Sequence, residues 1–306
     1  MSGAPRVLIL GAAGQVGREL QRSFAGMGEL VALDRAKANL ADPEQLREVV
    51  RGVGPDVILN AAACTAVDRA EQEREPAFAV NAEAPRVLAD EARRLGALLV
   101  HYSTDYVFDG SKAEPWVEGD ATGPLNVYGA SKLAGEQAIA DAGGRYLIFR
   151  TSWVYGPKGK NFLLTMLRLG RERDRLRVVD DQFGAPTSSM EIADATRGTV
   201  EKALSGESGR WSGGWSGVYH MSCAGSTTWC GFARAIFERG ADLLGGRRPE
   251  VEAIATAEYP TPATRPVHSV LSNEALYERF GVRLAGWEAA LDGVLAALRT
   301  LEQADS

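Results

Sequence analysis

The sequence predicts an α/β protein with a doubly wound parallel sheet of the Rossmann type and a smaller C-terminal substrate-binding lobe. Three observations predict it: apolar runs alternate with helical patterns over residues 7–152, a glycine-rich turn follows the first run, and the alternation loosens afterwards. Strands joined through helices by short loops require right-handed crossovers, which make neighbouring strands parallel. We expect an NAD(P)-binding domain over 1–155 and a mainly substrate-binding lobe over 156–306, some of whose segments return to the first domain.

Each expected element follows a local pattern. Five apolar runs predict strands: VLIL (7–10), LVALD (30–34), DVILNAA (56–62), ALLVHYST (97–104) and YLIFRTS (146–152). The helices between them are expected at 14–26, from Asp42-Pro43 (a good N-cap and a good first residue), at 76–95 and at 126–142. In the second part we expect helices at 160–172, 189–204 and 227–240, a turn-rich segment at 180–188, a Trp/Gly/Ser surface loop at 205–217, a short strand at 218–222 and an amphipathic tail at 286–302.

The composition is that of an ordinary globular protein, with 45% hydrophobic and 24% charged residues among 306. A net charge of −6 argues against a broad nucleic-acid surface, which requires clustered Lys and Arg. The three cysteines lack zinc-site spacing and are too few for a disulfide framework. The N-terminal apolar run is too short for a signal peptide, and no run approaches the ~20 residues of a membrane span. We therefore expect a cytoplasmic protein without nucleic-acid or membrane partners.

A glycine-rich turn, GAAGQVG (11–17), directly follows the first expected strand and opens the first helix. Gly11 permits the tight turn, Gly14 lets the backbone approach a pyrophosphate, and Gly17 lets the helix pack close to the strand. The helix N-terminus then offers free N–H groups to the phosphate charge. The segment predicts a nicotinamide dinucleotide site.

The end of the second expected strand bears on the cofactor's identity. Asp34 stands there, 17 residues after Gly17, where a carboxylate can accept both ribose hydroxyls of the adenosine. Arg35 follows and could bind a 2′-phosphate instead. NADH and NADPH both stay open, as does the reading of Asp34 as a simple turn residue.

Tyr128 and Lys132 are four residues apart in YGASK and therefore share one face of the expected helix. Thr104 ends the fourth strand, and the carboxyl ends of parallel strands line the ligand crevice, so the three should face one cleft. Reduction of a ketone requires a hydride and a proton. A tyrosine beside an ammonium is expected to have a lowered pKa and to supply that proton. Thr104 is expected to hydrogen-bond the carbonyl or the tyrosine oxygen.

Eight motifs between residues 11 and 273 carry a family resemblance. They are GAAGQVG (11–17), NAAACTAVDRAE (60–71), VNAEAP (80–85), STDYVFDG (103–110), NVYGASKLAGE (126–136), RTSWVYG (150–156), DDQFGAPT (180–187) and RPVHSVLSN (265–273). With them the chain resembles the extended short-chain dehydrogenases/reductases and, within these, the dTDP-4-dehydrorhamnose reductase family.

The resemblance implies site residues. Thr104, Tyr128 and Lys132 match the family's catalytic trio. From the motifs and the resemblance together, we expect cofactor contacts from Gly11, Gly14, Gln15, Val16, Gly17, Asp34, Arg35, Asn39, Leu40, Ala61, Ala62, Ala63, Thr65, Tyr128 and Lys132. Substrate contacts are expected from Val67, Thr104, Asp105, Tyr106, Trp153 and, toward the diphosphate, Arg265. Trp153 and Val67 could instead be packing residues, and Asp68 a helix N-cap.

The reaction implied is NAD(P)H-dependent reduction of the C4 ketone of a dTDP-4-keto-6-deoxy-sugar, dTDP-4-dehydro-L-rhamnose to dTDP-L-rhamnose. Asp105 followed by Tyr106 favours it, because related 4,6-dehydratases carry Asp-Glu there to eliminate water, and epimerases usually carry small residues. Two alternatives stay open. One is a reductase of a related sugar in antibiotic biosynthesis, such as dTDP-dihydrostreptose formation, which the Ala/Arg/Gly-rich composition fits. The other is a non-catalytic NADP-binding regulatory subunit like the β subunit of methionine adenosyltransferase.

Three further expectations concern assembly and departures from the family. Enterobacterial members are described with a metal-bridged dimer built from glutamates. Glu191 matches one ligand, but the others are not matched, so no metal is expected. A monomer or homodimer is expected. Asn39 stands where the family often has an acidic residue near the adenine.

Overall fold

The computed structural model describes residues 4–205 and 213–304, in which twelve strands occur. In chain order they are β1 Arg6–Leu10, β2 Glu29–Leu33, β3 Val57–Asn60, β4 Leu98–Thr104, β5 Arg145–Thr151, β6 Val154–Tyr155, β7 Arg175–Val179, β8 Phe183–Gly184, β9 Thr187–Ser188, β10 Gly217–His220, β11 Thr227–Thr228 and β12 Glu250–Ile254. Six form a central sheet in the order β10-β5-β4-β3-β1-β2, and every neighbouring pair in it is parallel. The predicted Rossmann-type sheet is confirmed.

Helices cover both faces of this sheet. The α-helices of the described residues are α1 Gln15–Ser23, α2 Pro43–Val53, α3 Val67–Ala70, α4 Arg74–Phe78, α5 Ala84–Leu95, α6 Val127–Ala142, α7 Phe162–Glu172, α8 Ser189–Leu204, α9 Trp229–Arg239, α10 Glu274–Phe280 and α11 Trp287–Ala304. Helices α2, α5 and α6 bury one face, around Leu8, Ile58 and Leu99. Helices α1 and α8 cover the opposite face, and its core continues into α7, α9 and α11.

Capping residues set where two important helices begin. The Asp42 side chain accepts from the Gln45 N–H at 3.1 Å, and Pro43 is the first residue of α2, as predicted. The Asn126 side chain accepts from the Gly129 N–H at 2.8 Å and caps α6. Such caps satisfy N–H groups that the first turn leaves unpaired. The Asn126 cap therefore fixes the first turns of α6, which carry two predicted catalytic residues.

The single helix predicted at 76–95 is wrong in detail. It begins at Arg74 and contains a π-helical turn, Ala79–Glu83, between α4 and α5. That turn buries Asn81, whose side chain bonds both the N–H and the carbonyl of Cys64 and reaches the Ser131 hydroxyl at 3.0 Å. The π-helical turn lets the buried Asn81 amide reach its hydrogen-bond partners. The spacing of apolar residues does not predict this turn.

Smaller sheets in the second part were not predicted. β7 pairs in parallel with β12, β6 with β9, and β8 runs antiparallel to β11. Helix α10 was also missed. The strand expected at 218–222 is β10, which joins the central sheet beside β5. Of the predicted 205–217 loop, residues 206–212 lie outside the described residues.

No helix within 4–205 and 213–304 is long and apolar enough to span a membrane.

Candidate active site

Two neighbouring cavities lie at the carboxyl ends of the central strands and beside them. The first, here called the reaction cavity, has a volume of about 620 Å³. The structure brings most predicted site residues to its wall: Gly14, Gln15, Val16, Ala61, Ala63, Thr65, Val67, Thr104, Asp105, Tyr106, Tyr128, Lys132 and Trp153. The second cavity, about 920 Å³, lies between β7, β12 and α7 and includes Arg265.

The glycine loop has the geometry that a bound dinucleotide requires. Gly11 has φ +77°, and a Cβ there would stand 2.7 Å from the Ala62 nitrogen. A Cβ on Gly17 would stand 2.1 Å from the Gly11 carbonyl oxygen, so only glycine lets α1 pack this closely. Among the described side chains none caps the start of α1, so its first N–H groups stay available to a phosphate. The loop fits the cofactor that the sequence predicts.

Four predicted adenosine contacts lie outside the reaction cavity. The Asp34 carboxylate accepts from the N–H groups of Ala36 and Lys37 at 3.1 and 3.3 Å, as a turn residue does. Arg35 is exposed, and Leu40 is buried in the core. The Asn39 side chain accepts from the Ala41 N–H at 3.2 Å. Their cofactor roles stay predictions.

Tyr128, Thr104 and Asp105 lie together on the wall of the reaction cavity. The Thr104 hydroxyl lies close enough to Tyr128 to lower the pKa of Tyr128 in part. Thr104 in turn donates to Asp105 Oδ1 at 2.8 Å. Because the Thr104 hydroxyl has a single hydrogen, it donates that hydrogen either to Asp105 or, once Tyr128 ionises, to the phenolate oxygen. Tyr106 packs edge-on to Tyr128, with ring centroids 5.8 Å apart.

The predicted lowering of the Tyr128 pKa is wrong. Tyr128 is half-buried, and desolvation raises its pKa because it disfavours a phenolate, while the Thr104 hydroxyl opposes this only in part. Burial also raises the pKa of Asp105 to about 6. It lowers the pKa of Lys132 to about 7, because the desolvated charge here is positive.

Lys132 contacts a residue that the sequence reasoning missed. Its Nζ lies 3.0 Å from Nε2 of His101, and His101 Nδ1 lies 3.0 Å from Asn60 Nδ2. All three residues are buried. One signal was available, since Asn60 and His101 are polar residues that directly follow the apolar runs VIL and LLV in their strands. Ala62, predicted beside the cofactor, donates its N–H to Asn60 Oδ1 at 3.3 Å.

Trp153 lies at the boundary between the cavities. It is the one described non-glycine residue with positive φ (47°), a conformation that bulky side chains rarely adopt. Its ring stacks on Trp229, with centroids 3.5 Å apart, and Trp229 lines both cavities. A Cβ on Gly184 would stand 2.5 Å from the Trp153 ring, so that glycine makes room for it. Trp229 was not predicted.

Arg265 lies in the second cavity with Asp68. The guanidinium donates to both Asp68 carboxylate oxygens at 2.9 Å. Asp68 lies inside α3, whose N-cap is Ala66, so its interpretation as an N-cap is wrong. The Arg265 guanidinium beside it lowers the pKa of the Asp68 carboxyl. A diphosphate contact by Arg265 stays a prediction.

Neither a metal cluster nor a disulfide is found in the described part of the chain. No three His, Cys, Asp or Glu side chains there could jointly hold a metal ion. Glu191 instead accepts from the Ala285 N–H at 2.9 Å. The three cysteines are free, and Cys223 and Cys230 are buried.

Comparisons with known proteins place the chain in one family. A family model described as the RmlD substrate binding domain matches residues 5–300. The chain is 51% identical to a dTDP-4-dehydrorhamnose reductase from Burkholderia thailandensis, covering 94% of this chain and 96% of that protein. It is 44% identical to one from Escherichia coli K12, covering 96% and 98%.

A solved structure supports the same placement. A dTDP-4-dehydrorhamnose reductase from Bacillus anthracis, in complex with NADP, matches with a TM-score of 0.87 and 34% identity. The match covers 96% of this chain and 99% of that one. The chain therefore belongs to the dTDP-4-dehydrorhamnose reductase family of extended short-chain dehydrogenases/reductases.

Proposed function

We propose that this protein reduces the C4 ketone of dTDP-4-dehydro-L-rhamnose to dTDP-L-rhamnose, using NADPH or NADH. One observation carries the proposal: Tyr128, Thr104 and Asp105 line the same cavity as the glycine loop, and the Thr104 hydroxyl donates to Asp105. Relatives that cover nearly the whole chain are named for this reaction, and one was solved with NADP.

Tyr128 is the proton donor in this proposal. A bound nicotinamide supplies the hydride. The raised pKa of Tyr128 keeps its hydroxyl protonated at neutral pH, which a donor needs. The alkoxide formed at C4 is a stronger base than a phenolate, so the proton moves to the sugar oxygen. A Lys132 ammonium then stabilises the phenolate by charge, and Thr104 by hydrogen bonding.

The substrate spans both cavities in this proposal. The keto-sugar lies in the reaction cavity against Val67, Asp105, Tyr106 and Trp153. The nucleotide lies in the second cavity, with Arg265 toward the diphosphate. This division corresponds to a cofactor domain over 1–155 and a substrate lobe over 156–306, with β10 as a returning segment. We further propose a cytoplasmic enzyme, monomeric or homodimeric, that binds no nucleic acid.

Loss of absorbance at 340 nm, followed with NADH and with NADPH, tests the proposal. The substrate is dTDP-4-keto-6-deoxy-glucose in the presence of the 3,5-epimerase, and NMR identifies the sugar formed. We expect cofactor oxidation and a dTDP-L-rhamnose product. A product of another stereochemistry or ring size would assign the protein to a related dTDP-4-keto sugar. No oxidation with any such substrate, together with co-purification with a partner enzyme, would favour a regulatory subunit.

A further inference from the structure

A buried polar chain contacts Lys132 from the central sheet. Asn60 ends β3 and His101 lies in β4, and the two residues are direct partners across this parallel strand pair. Each is about 1% exposed. Their side chains lie on the sheet face covered by α6, the helix that carries Lys132. Neither residue takes part in the proposed proton transfer.

The hydrogen bonds of this chain constrain each other. A lysine ammonium is only a donor, whereas a neutral imidazole has one donor and one acceptor nitrogen. Asn60 Oδ1 accepts from the Ala62 N–H, so its amide nitrogen faces His101 Nδ1. In that orientation Nδ1 accepts and Nε2 carries the hydrogen. Nε2–H then donates to Lys132 Nζ, which must be a neutral amine.

Rotation of the Asn60 amide gives the opposite arrangement. Its oxygen then faces His101 Nδ1–H and no longer accepts from the Ala62 N–H, and the Nε2 lone pair accepts from a Lys132 ammonium. The two arrangements differ by one proton on Lys132, which is exchanged with solvent through the reaction cavity that it lines. They also differ in the His101 tautomer, whose hydrogen is on Nε2 in the first and on Nδ1 in the second. A partner fixed in one direction, such as a carbonyl, would satisfy only one of the two charge states.

We propose that His101 and Asn60 are positioning residues that give Lys132 a hydrogen-bond partner both as ammonium and as amine, and so set the pH at which it changes charge. The inference rests on the proposed function only in assigning a catalytic use to that charge. It does not make His101 a proton carrier, because burial and then the Lys132 charge hold the pKa of His101 well below its usual value.

Other groups around Lys132 do not remove the need for this pair. Glu136, one turn along α6, favours the ammonium, and burial still lowers the pKa of Lys132 to about 7. Both Glu136 oxygens are bonded by Arg150 of β5 at 2.6–3.2 Å, which offsets their charge. Tyr128 of α6 and Asp105, just after β4, lie on either side of Thr104, whose hydroxyl donates to Asp105. His101 is the group that contacts Nζ directly.

Three variants separate this role from simple packing. Asn60→Asp keeps an acceptor for the Ala62 N–H but requires a hydrogen on His101 Nδ1, so Nε2 can only accept. Lys132 is then held as ammonium, and we expect its pKa to rise by about one unit or more. His101→Phe removes the acceptor from a buried ammonium, so the pKa should fall by about one unit or more. His101→Gln can donate or accept, and should stay within about half a unit of the parent.

The titration of Lys132 can be measured directly and without substrate. The chain has six lysines, so protein labelled with ¹³C at lysine Cε gives few NMR signals, and Lys132→Met assigns one of them. His220→Gln is the matched control, because His220 is also a buried histidine but faces the Trp116 carbonyl. It should leave the Lys132 midpoint unchanged. The pH at which kcat/KM falls on the alkaline side should follow the same order among the variants.

Opposite shifts in Asn60→Asp and His101→Phe support the proposal. Equal midpoints in all variants, or shifts in one direction only, overturn it. If His101→Phe does not fold, Asn60→Asp is compared with His101→Gln instead. The proposal is then overturned if the Lys132 midpoint of Asn60→Asp is equal to or lower than that of His101→Gln. Failure of the proposed function can be told apart from failure of this inference. In that case the protein would not turn over the keto-sugar, but the Lys132 midpoints of the variants would still shift.

Discussion

The reaction cavity and the second cavity differ in how far their charged side chains are buried and in how those side chains are paired. In the first, Lys132 and Asp105 are buried, and burial moves both pKa values toward neutrality. In the second, Arg175 and Arg177 are half-exposed and already paired with Glu250 and Glu258. A dry site with shifted pKa values can move protons near pH 7. A wet site with paired arginines can exchange a carboxylate for a phosphate without any change in protonation.

Tyr128→Phe tests the proton chemistry of the reaction cavity and should have the largest effect. It removes one hydroxyl and leaves the edge-on packing with Tyr106 intact. We expect kcat to fall about 10³-fold, within the usual range for loss of a general acid. The dissociation constant for NADPH, measured by fluorescence titration, should change by less than about threefold. A rate near that of the parent would show that the proton comes from another group.

Arg265→Met tests partner exchange in the second cavity. Loss of a charge-assisted bond to the diphosphate should raise KM for the sugar nucleotide about 10- to 100-fold and change kcat little. Asp68→Asn is the matched control, because it removes the carboxylate that competes for Arg265. It should lower KM. A rise in KM as large as that of Arg265→Met would show that Asp68 holds the arginine in place instead.

Asp105→Asn is expected to increase the stability of the protein and to decrease its activity. Folding raises the pKa of Asp105 from 3.8 to about 6, so the fold disfavours the carboxylate. The resulting loss of stability appears as pH rises from about 4 through about 6 and is absent at lower pH. The amide avoids this, and the hydroxyls of Ser152 and Ser269, which donate to backbone carbonyls, can accept its hydrogens. We expect a gain of about 2 kcal/mol in the free energy of unfolding at pH 8.

Urea titrations of parent and Asp105→Asn at pH 8 and pH 4 measure this difference. At pH 4 the gain should largely disappear, since both proteins are then neutral at this position. Activity should fall in the variant because its amide no longer holds the Thr104 hydrogen by charge. An equal gain at both pH values would indicate a packing effect and not a titration.

Arg175→Gln should have the smallest effect. Arg175 and Glu250 are exposed, and exposed ion pairs contribute little to stability. We expect the melting temperature to change by about 1 °C or less. A larger decrease would mean that the β7–β12 pair depends on this contact, and that the charges of the second cavity are structural.

Local sequence patterns correctly predicted those elements whose formation depends on a single short segment. The helix expected at 189–204 is α8, and the Asp42-Pro43 pair starts α2. The glycine loop also needs only its own residues and their immediate neighbours to be interpreted. The π-helical turn at Ala79–Glu83 could not be predicted, because it depends on Cys64 and Ser131, which are distant in sequence.

The same distinction holds in the active site: features that depend on one short segment were predicted, and features that depend on distant residues were not. The spacing of Tyr128 and Lys132 placed them in one cavity, but their pKa values depend on burial, which spacing does not report. The contact of Lys132 with His101 requires the register of β4 and the position of α6 over the sheet. Likewise, the stacking of Trp153 on Trp229 joins residues 76 positions apart. The sequence could name the reacting groups but not the partners that tune them.

The edge strand β10 has a consequence for synthesis on the ribosome. It pairs with β5, although more than sixty residues separate the end of β5 from its start. While the chain is being translated, β5 remains an open edge until Gly217–His220 emerges, and unpaired edges invite wrong partners. A nascent chain that pauses between these strands therefore depends on a chaperone more than one that has passed residue 220.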